Sequence, residues 1–251
     1  MPYGMYISAE GAQAQAKRME TIANNLANVD TPGFKRDVTT FRARFAEAIE
    51  EGIATPGDGS INDIGGGVMV ASIRTQFGAG PIERTGVATD LAIEGDGFFA
   101  IRKEGQTLLT RAGNFRLTSD GRLVTREGNM VLNDTGGPIA IDPDLGPWQF
   151  TVNGGLQQGG GVTDHVAVVR PRSRSDLVKI GDNLFRSLAP TRNAPLADRR
   201  VRQGYLEGST VNPTAEMMTL IETSRAFEAN TKLIQNQDSM IGSLIRRVLQ
   251  T

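Results

Sequence analysis

The chain has 251 residues, 39% of them hydrophobic, and its 27 lysine and arginine residues nearly balance 28 aspartate and glutamate residues. This length holds one large or two modest domains with a buried core, and the charge balance excludes a field that gathers nucleic acid or anionic lipid. Cysteine is absent, which excludes disulfides, thiolate metal sites and cysteine nucleophiles. No segment approaches the roughly 18 apolar residues of a membrane span, and the N-terminal residues lack a signal-peptide pattern. We therefore expect no nucleic-acid binding, no direct membrane insertion and no cleaved signal peptide.

The first predicted element is an amphipathic helix from about Met5 to Val29. Small or apolar residues alternate at spacings of three and four, as one helical face requires. These residues are Ala9, Ala12, Ala16, Met19, Ala23 and Leu26. The helix should end at Asp30–Gly33, because the residue before Pro32 avoids helical geometry and Gly33 readily turns the chain. Its alanine-rich face predicts close approach by another helix.

Residues 31–80 show little periodicity and contain glycine-rich stretches, such as Gly65–Gly67. A helical start is predicted over Phe41–Glu50, and the rest is predicted as an extended linker region, partly disordered in isolation.

From residue 81 to residue 209 the apolar period changes to two, which predicts an antiparallel β domain. Short turn signals such as Ser119–Gly121 and Glu127–Asn129 separate the strands. The predicted strands are Leu91–Ile93, Phe98–Ile101, Leu108–Thr110, Phe115–Thr118, Leu123–Thr125, Met130–Leu132, Pro138–Ile141, Phe150–Val152, Val166–Val169 and Leu177–Ile180.

A long C-terminal helix is predicted next, with Asn212 as its N-cap and Pro213 at the favoured first helical position. Its seam keeps the three-four spacing and consists of Met217, Leu220, Ser224, Phe227, Thr231, Ile234, Asp238, Ile241, Ile245 and Val248. The fold class is therefore mainly β with long N- and C-terminal helices. Residues 1–30 and 210–251 form a discontinuous two-helix domain, whose seams must pack on each other or on other subunits.

No pattern predicts catalysis, a cofactor or a bound metal. The single histidine, His165, lies beside Asp164 with no nucleophile motif nearby and is interpreted as a turn residue. Asp142–Asp144 resembles the start of a calcium loop but lacks the glycine and glutamate that complete one, so we interpret it as a simple turn. We expect a protein that is not an enzyme. The sequence does not exclude carboxylate pairs that act on carbohydrate.

Three segments of the chain resemble parts of one protein family. The first, residues 21–36, reads TIANNLANVDTPGFKR and resembles the N-terminal signature of the flagellar rod and hook proteins. The second comprises DLAIEGDGFF at 90–99, TRAGNF at 110–115 and GRLVT at 121–125, and it resembles the family's β domain. The third, VRQGYLEGSTVN at 201–212 followed by MMTLIETSRAFE at 217–228, resembles the lead-in to the C-terminal helix and its start. Residues 40–74 are unmatched.

The resemblance implies a structural subunit of the basal-body rod that polymerises through its terminal helices. It also implies export through the flagellar type III apparatus without a cleaved signal, and assembly in the periplasm with itself and other rod proteins. The short chain resembles the proximal rod members more than the distal rod or hook members. The alternative is a secreted adhesin or cap-like binding protein with the same terminal helices, although one Trp and three Tyr offer few aromatic anchors for a binding pocket.

Two groups of candidate residues follow from the seams and the resemblance. The predicted assembly interface comprises Ala16, Met19, Ala23, Asn24, Asn25, Leu26, Asn28, Pro32, Gly33, Phe34, Met217, Leu220, Phe227, Ile234, Ile241 and Ile245. The predicted joint between β domain and helix comprises Gln203, Gly204, Leu206, Glu207, Ser209 and Asn212. The asparagines either fix helix register through paired amides or face solvent and cap the helix. Pro32 and Gly33 either direct the chain onto the β domain or only stop the helix, and the joint segment is otherwise a polar connector.

Overall fold

The computed structural model describes residues 3–46, 49, 51–53, 55–57 and 65–249. Within these residues, helix α1 spans Tyr3–Ala27 and helix α2 spans Pro213–Leu249. The strands are β1 Asp37–Arg44, β2 Gly67–Thr75, β3 Ile82–Arg84, β4 Leu91–Ile93, β5 Phe98–Lys103, β6 Gln106–Thr110, β7 Arg116–Leu117, β8 Leu123–Val124, β9 Met130–Val131, β10 Trp148–Phe150, β11 Gly155–Gln158, β12 Gly161–His165, β13 Val168–Arg170, β14 Leu177–Gly181, β15 Leu184–Ser187, β16 Arg192–Asn193, β17 Val201–Gln203 and β18 Tyr205–Glu207. The predicted class, mainly antiparallel β with two long terminal helices, is confirmed.

The chain divides into two compact units. We call the described parts of residues 1–27, 37–76 and 212–251 the helical unit. Residues 28–36 and 77–211 form the sheet unit.

In the helical unit, α1 packs against α2 and against the hairpin of β1 and β2. Two glycines of α1 allow the helices to approach closely. A Cβ atom on Gly11 would lie 3.1 Å from Asn230 Oδ1, and one on Gly4 would lie 2.8 Å from Gln237 Nε2. Small residues at a helix contact bring the two backbones near each other, and polar side chains of α2 fill the remaining space.

The hairpin differs from the linker and the helical start predicted for this region. Strands β1 and β2 pair antiparallel from Asp37 opposite Thr75 to Arg44 opposite Gly67, with an irregularity at Thr40 and Phe41. The β-branched and aromatic residues of β1 favour a strand, but its partner strand begins more than twenty residues later, so a local pattern does not reveal the pairing. Of the predicted helical start, Glu47, Ala48 and Glu50 lie outside the described residues, as do residues 54 and 58–64 of the predicted linker.

The sheet unit is built on one large antiparallel sheet in the order β14-β15-β6-β5-β9-β8-β7, with β13 pairing to β5 and β16. A three-stranded sheet of β10, β11 and β12 and the pairs β17–β4 and β18–β3 complete it. Its main core includes Phe99, Ile101, Leu123, Ile139 and Leu156. A second cluster on the large sheet brings Phe77, Phe98 and Phe185 into edge-to-face contact at centroid distances of 5.2–5.8 Å.

The predicted strands overlap the observed strands except at Pro138–Ile141. There, Pro138 and Ala140 form only isolated bridges, to Leu132 and Arg122. Asp142–Asp144 forms the predicted turn, in which the Asp142 side chain accepts a hydrogen bond from Asp144 N at 2.9 Å. The remaining strands of the sheet unit were not predicted. Two of them, β11 and β12, are mostly polar and begin with glycine, so alternation of apolar residues does not reveal them.

Candidate assembly interface and joint

The packed face of α1 is mostly small or polar. The buried residues of this helix are Ser8, Ala12, Ala14, Thr21, Ile22 and Asn25. Of the predicted seam only Ala12 is among them. Ala16, Met19 and Leu26 are half-buried, whereas Ala23 and Asn24 are exposed. Most of the predicted seam therefore lies at the surface of the helical unit, beside the face that α1 uses within its own chain.

Asn25 is the polar centre of the helical unit, with 1% of its surface exposed. Its Oδ1 accepts a hydrogen bond from Asp37 N at 2.9 Å, and its Nδ2 donates to Asp37 O at 2.8 Å. Nδ2 also approaches Oε2 of the buried Glu216 in α2 at 3.4 Å. A single amide thus joins α1 to the start of β1 and to the first turn of α2. This satisfies the side chain inside the chain, as a buried amide requires.

The predicted seam of α2 faces inward within the helical unit. Leu220, Phe227, Ile234 and Ile241 are half-buried on the same side as the fully buried Thr223. Two predicted interface residues at the ends of this line, Met217 and Ile245, remain 50% and 54% exposed.

The cap of α2 follows its prediction. Pro213 is the first helical residue, and Asn212 Oδ1 accepts a hydrogen bond from Ala215 N at 3.1 Å. This is the N-cap bond that satisfies a free amide at a helix start.

A second apolar line on α2 was missed by the sequence reasoning. It consists of Met218, Ile221, Leu233, Met240 and Leu244, which are 50–65% exposed. Their spacings of three, twelve, seven and four place them on one side of the helix, about two fifths of a turn from the inward seam. We call these five residues the outer line. The missed signal was a helix that carries two apolar lines rather than one.

The turn after α1 belongs to the sheet unit, where Asn28, Pro32, Gly33 and Phe34 all lie. Thr31 Oγ1 donates to Asn28 Oδ1 at 3.1 Å, and Pro32 O accepts from Asn183 Nδ2 at 2.7 Å. Phe34 is 3% exposed, with Lys179 Nζ 4.0 Å from its ring centroid. These interface candidates therefore have partners inside the sheet unit.

Glycine is required at position 33. Its φ is +67°, and a Cβ atom there would lie 2.4 Å from the carbonyl carbon of Arg111. A left-handed backbone and a close approach both favour glycine.

The joint candidates also form ordered structure in the sheet unit, apart from the cap residue Asn212. Gln203 ends β17, and its Oε1 accepts from Phe150 N at 3.0 Å. Gly204 has φ +77° and donates from its backbone to Asp90 O at 2.8 Å. Leu206 pairs with Glu83 of β3, and Ser209 Oγ accepts from Val211 N at 3.3 Å.

Glu207 is the centre of a buried ion cluster that the sequence did not predict. Its Oε1 pairs with Lys35 Nζ at 2.6 Å and its Oε2 with Arg111 Nη1 at 3.1 Å. The side chains of Lys35 and Glu207 are each 2% exposed. Oε1 also accepts from Gly80 N at 2.8 Å, so the carboxylate is satisfied by three donors from distant parts of the chain.

Burial is the largest influence on both cations of this cluster. It lowers the pKa of the Lys35 ammonium below its usual value, and the hydrogen bond to Glu207 opposes this only in part. Burial likewise lowers the pKa of the Arg111 guanidinium, against the attraction of Glu207. The carboxylate therefore offsets part of the cost of placing two cations in the interior.

The structure also bears on a metal site, on the surroundings of His165 and on a membrane span. Among the described residues, no cluster of three or more histidine, cysteine, aspartate or glutamate side chains could hold a metal ion. His165 is half-buried at the end of β12, and Oδ2 of the neighbouring Asp164 accepts from Asn133 Nδ2 at 2.9 Å. Neither α1 nor α2, over the residues described, is long and apolar enough to cross a membrane.

Comparisons with known proteins give consistent results over both helices and the sheet unit. Residues 5–35 match a family model described as "Flagella basal body rod protein". Residues 92–158 match the "Flagellar hook protein FlgE/F/G D1 domain", and residues 202–247 match the "Flagellar basal body rod FlgEFG protein C-terminal" model.

Individual relatives extend the similarity to the full chain. The flagellar basal-body rod protein FlgF of Caulobacter vibrioides is 35% identical over 251 residues, covering 99% of this chain and 98% of the relative. The rod protein FlgG of Bacillus subtilis is 33% identical over 259 residues, covering 96% and 97%. FlgF of Mesorhizobium japonicum is 31% identical over 251 residues, covering 98% of each chain. The chain therefore belongs to the family of flagellar basal-body rod proteins and is a structural protein of that rod.

Proposed function

We propose that this rod protein polymerises into the axial drive-shaft structure through α1 and α2, and that the outer line of α2 is its main contact with neighbouring subunits. The observation that carries the proposal is the exposure of the five apolar side chains of that line, all at least half exposed. Removing apolar side chains from water is favourable by about 25 cal/mol for each Å² of buried apolar surface. Exposed apolar side chains along one side of a helix are typical of a surface that another protein covers.

The exposed part of the α1 seam supplies a second contact of different shape. Ala9 and Ala23 are exposed, and Ala16 is half-buried. A line of alanines gives little area per residue but admits a helix of a neighbour at short distance. Two unlike surfaces on one subunit allow a head-to-tail contact between successive subunits, and such a contact builds an extended polymer when the rotation between subunits does not close a ring.

The partners proposed are further copies of the chain and other flagellar rod proteins. Export through the flagellar type III apparatus without a cleaved signal, and assembly in the periplasm, belong to the same proposal. We propose no enzymatic activity and no cofactor. The relatives above carry the names FlgF and FlgG, and the short chain favours the FlgF position in the rod. The adhesin alternative has no support among the relatives, which are named as rod proteins.

A set of leucine-to-aspartate variants tests the outer line. Leu233→Asp and Leu244→Asp should each abolish assembly, because a charge would be buried unpaired at the contact between subunits. Leu188→Asp is the matched control, since Leu188 is 68% exposed in the sheet unit. Complementation of a deletion strain gives motility, and isolation of basal bodies shows whether the tagged chain is incorporated.

The inward seam gives a separate outcome. Phe227→Asp should also prevent assembly, but by disrupting the contact of α2 with α1, so it should lower the helical circular dichroism of the free chain. Leu233→Asp should leave that signal unchanged. Normal motility with both outer-line variants would show that the main contact lies elsewhere.

A further inference from the structure

A cavity of about 190 Å³ lies in the sheet unit beside the buried ion cluster. The residues that line it include five cationic residues and one acidic residue, namely Lys35, Arg111, Arg170, Arg172, Arg174 and Asp96. The volume is below the roughly 300–1,000 Å³ of pockets for drug-sized ligands. The cavity therefore suits one small charged group.

The neighbouring carboxylates do not balance the cations of the wall. Glu207 pairs with Lys35 and Arg111, at 2.6 and 3.1 Å. Asp96 pairs with Arg174 at 2.5 Å, and Asp198 pairs with Arg170 at 3.1 Å. These are three carboxylates for five cations.

Arg172 makes no ion pair or hydrogen bond with any residue that the structure describes. Arg172 is exposed and is one of the residues that line the cavity. A ligand can therefore bind Arg172 without breaking an existing hydrogen bond or ion pair.

Arg111 supplies a second unused donor. The residue is 8% exposed, and its Nη1 and Nη2 donate to the carbonyl oxygens of Ile93 and Gly95. Its Nε is buried and has no acceptor within the described part of the chain. A buried donor without an acceptor is costly and calls for a partner such as an ion.

Repulsion among the cations is also visible at Lys35. After burial, which is the largest cause, the charges of Arg111 and Arg174 both lower the pKa of the Lys35 ammonium. A negative charge in the cavity would relieve this repulsion.

We propose that this cavity binds a small oxyanion, a carboxylate or a phosphate group. The exposed Arg172 and Arg174 hold it, and the positive charge of the buried Arg111 attracts it. A guanidinium presents its N–H groups as a planar fork that fits two oxygens of either group. The pair of Arg174 with Asp96 and the hydrogen bond from Arg174 Nη1 to Phe77 O at 3.2 Å are both exposed, so Arg174 reorients toward the ligand at small cost. This site is separate from the helix surfaces proposed above, and its failure would leave the assembly proposal intact.

The test titrates the full-length purified chain with sodium phosphate and, separately, with sodium acetate. Total ionic strength is kept constant with sodium chloride, because general screening would otherwise mimic binding. Backbone amide shifts in nuclear magnetic resonance spectra report the response at Gly97, which lines the cavity. We expect a saturable change with at least one probe. Saturation with phosphate alone identifies a phosphate site, and saturation with acetate alone identifies a carboxylate site. Saturation with both identifies a site that accepts either oxyanion.

Arginine variants then connect the response to the cavity. Arg172→Ala should weaken binding about tenfold, since a hydrogen bond to a charged group contributes about that much. Arg172→Ala combined with Arg174→Ala should remove it. Arg126→Ala is the control, because Arg126 is exposed and lies outside the cavity wall.

The emission of Trp148, which packs against the main core, verifies that each variant is folded. Two results would overturn the proposal. One is the absence of saturation with either probe. The other is an equal loss of binding in Arg126→Ala.

Discussion

The two units of this protein use their apolar side chains in opposite ways. The sheet unit buries large side chains completely, among them Phe99, Phe185 and Ile101, and it buries the charged pair Lys35 and Glu207 as well. The helical unit buries mainly small or polar side chains on α1, while the outer line of α2 stays in solvent. A large apolar side chain contributes about 1.5–3 kcal/mol when fully buried, whereas alanine contributes far less. The sheet unit thus draws its stability from its own residues, whereas the helical unit leaves much of the apolar area of α2 exposed.

The largest expected effect lies in the sheet unit. Glu207→Ala leaves Lys35 and Arg111 buried without their counter-charge, so it should destabilise the sheet unit by about 3–5 kcal/mol. Urea unfolding followed by the fluorescence of Trp148 measures this, because that single tryptophan packs in the sheet unit. Glu127→Ala, at an exposed turn, is the control and should change stability by less than about 0.5 kcal/mol. A loss below about 1 kcal/mol for Glu207→Ala would show that the cluster is not a main contributor to the fold.

A smaller effect is expected at the polar centre of the helical unit. Asn25→Ala removes the hydrogen bonds to the backbone of Asp37 and leaves buried groups without partners, at a cost of about 1–3 kcal/mol. Thermal melting followed by circular dichroism at the helix band measures the change. The adjacent Asn24 is exposed, so Asn24→Ala should shift the melt by much less. Equal shifts in the two variants would mean that the bonds of Asn25 are not decisive.

The smallest effect is expected where the two helices approach each other. Gly11→Ala gains about 0.5–1 kcal/mol of helix propensity, which the contact of the new Cβ with Asn230 Oδ1 at 3.1 Å offsets. The net change should be less than about 1 kcal/mol, since Asn230 ends in a flexible amide. Gly11→Leu should instead separate the helices and lower their hydrogen-exchange protection. If Gly11→Leu left that protection unchanged, the helix contact would be looser than the distances indicate.

The helices and most strands of the β region were predictable because their signals are local. Asn212 and Pro213 predict the start of α2 from residue type alone, and the structure has the helix begin there. The turn residues around Gly121 and Gly128 likewise predict breaks between short strands, and both glycines have positive φ. The domain boundaries at residues 30, 80 and 209 remain a prediction.

The ion cluster and the hairpin were not predictable because their partners are distant in sequence. Lys35 and Glu207 are separated by 172 positions, and single charged residues are expected at the surface. In α2, the apolar periodicity predicted the line through Leu220, Phe227 and Ile234, which faces inward. It did not predict the outer line. A pattern shows that a helix has an apolar face, but it does not show which face the chain itself covers.

The order of segments in the helical unit also sets the order in which it is completed. Asn25 and Glu216 meet across 191 positions, and α1 has no α2 to pack on until nearly the whole chain is present. In any process that handles the chain from its N-terminus, whether synthesis on the ribosome or passage through a narrow conduit, the paired helices form last. The helix pair therefore cannot form before the residues of α2, Pro213–Leu249, are present.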